Sequence, residues 1–119
     1  MIKLFNNLHV SFRNAFKGLY FLFKEERNAR IHVFATIAVI FCGIYFQLDA
    51  IEWALIVFAI CLVLILEAIN TVFENLMDYI STDQHQRIGK KKDLVVGAVL
   101  IAALGAFVIG CLVFIPKLL

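Results

Sequence analysis

The hydrophobic positions along the chain fall into four stretches of two kinds. In the first, Phe5, Leu8, Phe12, Phe16, Leu19 and Phe23 recur at helical spacing. At about 100° per residue they lie within roughly 80° of one another. Lys3, Asn6, Asn7, Arg13, Asn14, Lys17 and Lys24 take the opposite side. An aromatic face set against a basic one predicts an amphipathic helix over residues 1–25, lying in a membrane interface where apolar burial and attraction to anionic lipid act together. The repeated interruption by Lys, Asn and Arg does not fit the continuous apolar core of a signal peptide.

The other three stretches are apolar on all sides, as expected of membrane-spanning helices. Residues 31–47 carry no charge apart from a possible one on His32. At about 1.5 Å per residue this run is slightly short to cross a bilayer, so the helix is expected to begin earlier and cover 28–47. The second span is placed at 52–80, entering through Glu52 and leaving through a polar end. A loop is expected over 81–93, then a third span over 94–115 closed by Pro116.

Composition agrees with this division. Of 119 residues 63% are hydrophobic, more than a small soluble domain can bury. The expected fold is therefore a single all-α integral membrane domain, residues 1–119, with an N-terminal surface helix and three transmembrane helices. Cys42, Cys61 and Cys111 lie singly inside apolar runs and read as small hydrophobes. The basic residues flank the apolar runs and form no stripe for nucleic acid. Of eleven Lys and Arg, six precede the apolar run that starts at Ile31, four (Arg87, Lys90, Lys91, Lys92) lie between the second and third spans, and Lys117 follows the third. The positive-inside rule then puts the N-terminal helix and the 81–93 loop in the cytoplasm. Ala98, Ala102, Ala106 and Gly110 form a small-residue stripe along the third span, on which another helix can pack closely, and a homo-oligomer is plausible.

The chemistry sits in LILEAINTVFENLMD, residues 64–78. Glu67, Glu74 and Asp78 fall within about 40° on one helical face, with Asn70 roughly 60° to one side. A carboxylate in hydrocarbon is costly, so it faces protein or a wet cavity and marks a function. Carboxylates beside Lys and Arg at the cytoplasmic surface point to a divalent cation with an anionic ligand. Mg²⁺ is held by one or two carboxylates plus substrate phosphates, which would join Glu74 to a nucleotide, with Glu26 as a further candidate. His85, Lys90, Lys91, Lys92 and Asp93 stand near the same membrane face, where lysines and a metal would balance the charge of a transferred phosphate. There is no GxxxxGK[ST] or GxGxxG loop. A small oligomeric transporter with a membrane-embedded Glu is the alternative from another class, although three spans without a repeat fit it less well. A non-catalytic scaffold built on the small-residue stripe is a third.

Several separated blocks resemble the small prokaryotic diacylglycerol kinase family, which includes the undecaprenol kinases. The pattern E-x-x-N-[ST]-x-x-E-x-x-x-D is met by Glu67, Asn70, Thr71, Glu74 and Asp78. Lys92-Asp93 precedes GAVLIA at Gly97, KGL stands at Lys17 to Leu19, and ERNARIH contains Glu26 and His32. The resemblance implies a homotrimer in the bacterial inner membrane, with active sites at subunit contacts. It implies that Glu67 is the base that takes the proton of a lipid hydroxyl, with Asn70 orienting groups beside it. Glu26 and Glu74 would bind Mg²⁺ with ATP, and Asn14, Asp83, Gln84, His85, Lys92 and Asp93 would contact the nucleotide. Diacylglycerol and undecaprenol both remain open as acceptor.

Overall fold

The structure, a computed structural model, describes residues 2–80 and 85–119, without the side chains of residues 85–92. Every described element is an α-helix: α1 (Ile2–Glu25), α2 (Arg27–Tyr45), α3 (Ala50–Ile80) and α4 (His85–Leu118). Among the described residues three segments are long and apolar enough to cross a membrane: Arg27–Tyr45, Ala50–Ile80 and Asp93–Leu118. The chain is a multi-pass membrane protein.

The third span differs from the expectation at both ends. Residues 85–93, read as loop, belong to α4, because Lys, Arg and Gln are good helix formers and only Gly89 weakens that stretch. Charge marks where a helix leaves lipid, not where it stops. Pro116 lies inside α4 instead of closing it; it removes one backbone donor, yet so near the end the helix still runs to Leu118.

Helices α3 and α4 make the most extensive packing, and α2 joins them along α3. The molecule measures 55 × 48 × 21 Å. At 1.5 Å per residue α4 is about 51 Å long, which accounts for the first dimension. Three helices side by side would span only about 30 Å. The second dimension is supplied by α1, about 36 Å long, which runs away from the bundle. Only Leu22 of α1 is buried, and Phe5, Phe12 and Phe16 on its apolar face are exposed within the chain.

The direction change between α1 and α2 takes place at one residue. Glu26 is extended (φ −107°, ψ 117°) and caps α2 without a side-chain hydrogen bond. The α1 end is held from across the joint, where Arg30 Nη1 donates to the carbonyl of Lys24 at 2.8 Å. A guanidinium there meets unpaired carbonyls at the negative end of the helix dipole.

The α2–α3 turn is tighter. Gln47 adopts a positive φ of 55°. Asp49 and Glu52 then form a reciprocal capping box: the Glu52 N–H donates to Asp49 Oδ1 at 2.9 Å and the Asp49 N–H to Glu52 Oε1 at 3.1 Å. Glu52 also meets Lys117 Nζ at 3.1 Å, tying the start of α3 to the end of α4. Beside this turn Leu48, Ile56 and Val113 are buried together, with Trp53 and Phe114 against them. Trp53 lies directly on Gly43, where a Cβ would stand 2.6 Å from the ring. Of the small-residue stripe, Ala102 is buried and Ala98, Ala106 and Gly110 are half-buried.

Candidate active site

Away from that turn, the buried side chains of α3 change character. Ile56, Ala59 and Val63 give way, on the same face, to Glu67, Asn70 and Thr71. Glu67 is 2% exposed and Asn70 7%. The Thr71 hydroxyl is committed locally, donating to the Glu67 carbonyl at 3.0 Å. Asn70 Nδ2 points to Glu74 Oε1 across a long 3.5 Å contact, while Asn70 Oδ1 has no partner.

Glu67 is held from α2. His32 Nε2 stands 3.1 Å from Glu67 Oε1, and Glu67 Oε2 is buried with no hydrogen-bond partner. Leaving a buried acceptor unsatisfied costs about 1–3 kcal/mol, and more for a charged group. Such an atom in a membrane span is a mark of function.

The α1–α2 joint brings Glu26 to the same place. Its carboxyl is raised above the usual glutamate value, first by burial and then by the negative charges of Glu74, Glu67 and Glu25. The charges of Glu67 and Glu74 on α3 thus act on Glu26 at the α1–α2 joint. Among the described residues no three His, Cys, Asp or Glu side chains form a group able to hold a metal ion by themselves. Mutual repulsion of Glu26 and Glu74 is what a divalent cation would relieve.

The remaining expected residues are placed differently. Asn14 is exposed on α1, about 16 Å along the helix from Glu25 at 1.5 Å per residue. Asp78 is exposed at the end of α3, and Asp93 is exposed on α4. His85 and Lys92 lie on the α4 backbone, their side chains outside the described atoms; Asp83 and Gln84 lie outside the described residues. In the sequence His32 stands as a possible charge in an apolar run and as the last residue of the ERNARIH block, with no role attached to it. Its partner could not be read there, since the pairing joins two helices, but a lone ionisable residue in a span was a sufficient signal to look for one.

Beside the polar cluster, an apolar groove of about 660 Å³ opens between α1, α2 and α3, lined by Phe16, Tyr20, Phe23, Ala29, Leu64 and Ala68 among others. Ala68 and Leu64 flank Glu67 on α3. Glu26, Glu67 and Glu74 are not among the residues that line the groove.

Residues 13–114 match the family described as prokaryotic diacylglycerol kinase. The chain is 40% identical over 114 residues to a diacylglycerol kinase of Synechocystis, covering 95% of this chain and 65% of that protein, a little under two thirds of its length. It is 39% identical over 114 residues to the undecaprenol kinase of Bacillus subtilis, covering 95% of this chain and 92% of that protein. With the diacylglycerol kinase of Escherichia coli the identity is 30% over 98 residues, 82% of this chain and 80% of the other.

Proposed function

The chain belongs to the prokaryotic diacylglycerol kinase family, and from that premise we propose that it is a membrane lipid kinase, transferring the terminal phosphate of ATP to the hydroxyl of a membrane lipid. The acceptor is diacylglycerol or undecaprenol; near-equal identity to relatives named for each does not separate them. The observation that carries the reading is the buried, partnerless Oε2 of Glu67, placed where α3 passes from apolar to polar.

The lipid lies with its chain in the groove between α1, α2 and α3 and its hydroxyl at Glu67. Glu67 accepts the hydroxyl proton, the lipid oxygen bonds to the terminal phosphorus, and the bond from that phosphorus to the bridging oxygen breaks as ADP leaves. Asn70 orients the groups between Glu67 and Glu74. Glu26 and Glu74 would hold Mg²⁺, which would spread the charge of the phosphates. Asn14, Asp83, Gln84, His85, Lys92 and Asp93 are assigned to the nucleotide by resemblance. The distance of Asn14 from Glu26 along α1 supports a site shared between subunits of a homotrimer. The apolar face of α1, uncovered within the chain, supports its lying in the interface. The charge distribution supports an inner-membrane protein with α1 and the α3–α4 connection in the cytoplasm.

The test is direct. Purified protein is incubated with Mg-ATP and either diacylglycerol or undecaprenol, and labelled phosphate is followed into the lipid fraction. Phosphorylated lipid is expected, and the preferred acceptor identifies the substrate. No product from either acceptor overturns the reading.

A further inference from the structure

The two oxygens of Glu67 have different surroundings: Oε1 is 3.1 Å from His32 Nε2, and Oε2 is buried without a partner. The last torsion of a glutamate side chain is broad, so the carboxylate plane is not fixed by its own bond and needs an outside donor. The neighbours offer few. Glu26 and Glu74, when ionised, only accept. Asn70 Nδ2 is turned to Glu74. The Thr71 hydroxyl is given to a backbone carbonyl. On the α2 side the His32 ring borders a cavity of about 110 Å³ lined by Ala35, Val39, Val63, Ala106 and Gly110, together with Thr36. The Thr36 hydroxyl there donates to the His32 carbonyl at 2.7 Å. Cys111 lines the adjoining space from α4. Among the described residues no carboxylate other than Glu67 stands within ion-pair distance of the His32 ring.

We infer that His32 is a positioning residue for the transfer: its Nε2–H holds Glu67 Oε1, fixes the carboxylate plane, and turns Oε2 toward the incoming lipid hydroxyl. The inference rests on the reading of Glu67 as the base. In the step, the hydroxyl O–H bond breaks and its proton passes to Oε2. The freed oxygen bonds to the terminal phosphorus, and the electron pair of the broken P–O bond leaves with the nucleoside diphosphate. The proton on Nε2 stays where it is throughout. His32 therefore acts through Glu67 and touches neither substrate.

The experiment compares His32→Ala, His32→Met and His32→Gln in the full chain, with Mg-ATP and whichever lipid the unaltered protein phosphorylates. Met fills the space without donating, whereas Gln fills it and carries an N–H. Loss of the donor should lower kcat about tenfold to a hundredfold, the usual effect of removing a group that orients another. The KM for Mg-ATP should stay within about twofold, since nucleotide binding is not what is lost. His32→Gln should recover most of the lost kcat. In a Glu67→Gln background, His32→Met should cause no further loss, because the two act as one unit. An unchanged kcat in His32→Met, a folded His32→Gln no better than His32→Met, or losses that multiply in the double variant would each overturn the inference. Should the alanine variant not fold, the Met and Gln pair decides alone. If the unaltered protein phosphorylates no lipid, the kinase reading fails and the inference with it; if it is active and His32→Met equals it, the inference alone fails.

Discussion

Where α2 turns into α3, Leu48, Ile56 and Val113 are buried together and Trp53 covers Gly43; at the opposite end of α3 the buried side chains are Glu67, Asn70 and Thr71. The first region satisfies its polar groups. Asp49 and Glu52 cap each other and Lys117 completes the set. The second leaves Glu67 Oε2 and Asn70 Oδ1 unsatisfied and gathers like charges around Glu26. One end of the bundle is arranged for stability. The other accepts a free-energy cost that a bound substrate and cation would offset.

That contrast separates in mutants. Glu67→Gln should reduce turnover by about 10²- to 10⁴-fold, the contribution of a general base. Its unfolding midpoint and Mg-ATP binding, followed by titration calorimetry, should be retained. Turnover equal to the unaltered protein would remove Glu67 from the base role. Gly43→Ala is the mirror experiment. Its Cβ would press on the rigid Trp53 ring, so unfolding in mixed micelles should show a loss of about 1–3 kcal/mol. Each molecule that remains folded should turn over as before. Unaltered stability would mean that the Trp53 seat does not hold the turn.

The smallest effect is expected at Glu26, and its sign follows from the proton balance. Its carboxyl is raised in the folded protein above the ordinary 4.5, so the folded form binds the proton more tightly than the unfolded form. Stability is therefore greatest below the unfolded value and falls as pH rises through the raised one. Glu26→Gln carries no such loss. In magnesium-free buffer its unfolding midpoint should exceed that of the unaltered protein above this window and converge with it below. The variant should at the same time require more Mg²⁺ for turnover. A constant difference at all pH values would show that the charge of Glu26 is not the cause.

Much of this arrangement was legible in the sequence, for physical reasons that also explain the gaps. Apolar runs declare spans because lipid demands them, and the seven- and four-residue spacing of Glu67, Glu74 and Asp78 puts them on one face of any helix. The start of α4 at His85 was not legible, because a run of Lys and Arg looks like a loop in a hydropathy pattern while being good helix. Pro116 misled in the same way: a helix-breaking residue near a terminus removes little. The contacts His32–Glu67 and Gly43–Trp53 join residues from different helices, and periodicity within one helix contains no information about which residue of a neighbour it meets. Asn14 shows the reverse case. The resemblance assigned it to the nucleotide, yet one chain alone holds it far along α1 from Glu26.

Glu26 is the only non-helical residue between two rigid rods, the longer of which lies outside the bundle. A joint of one residue has just two soft torsions, and the carboxylate sits on the axle. The two torsions that set the angle between α1 and α2 therefore also set the direction in which that carboxylate leaves the backbone. The Arg30 guanidinium, donating to the Lys24 carbonyl, spans the same joint from the α2 side.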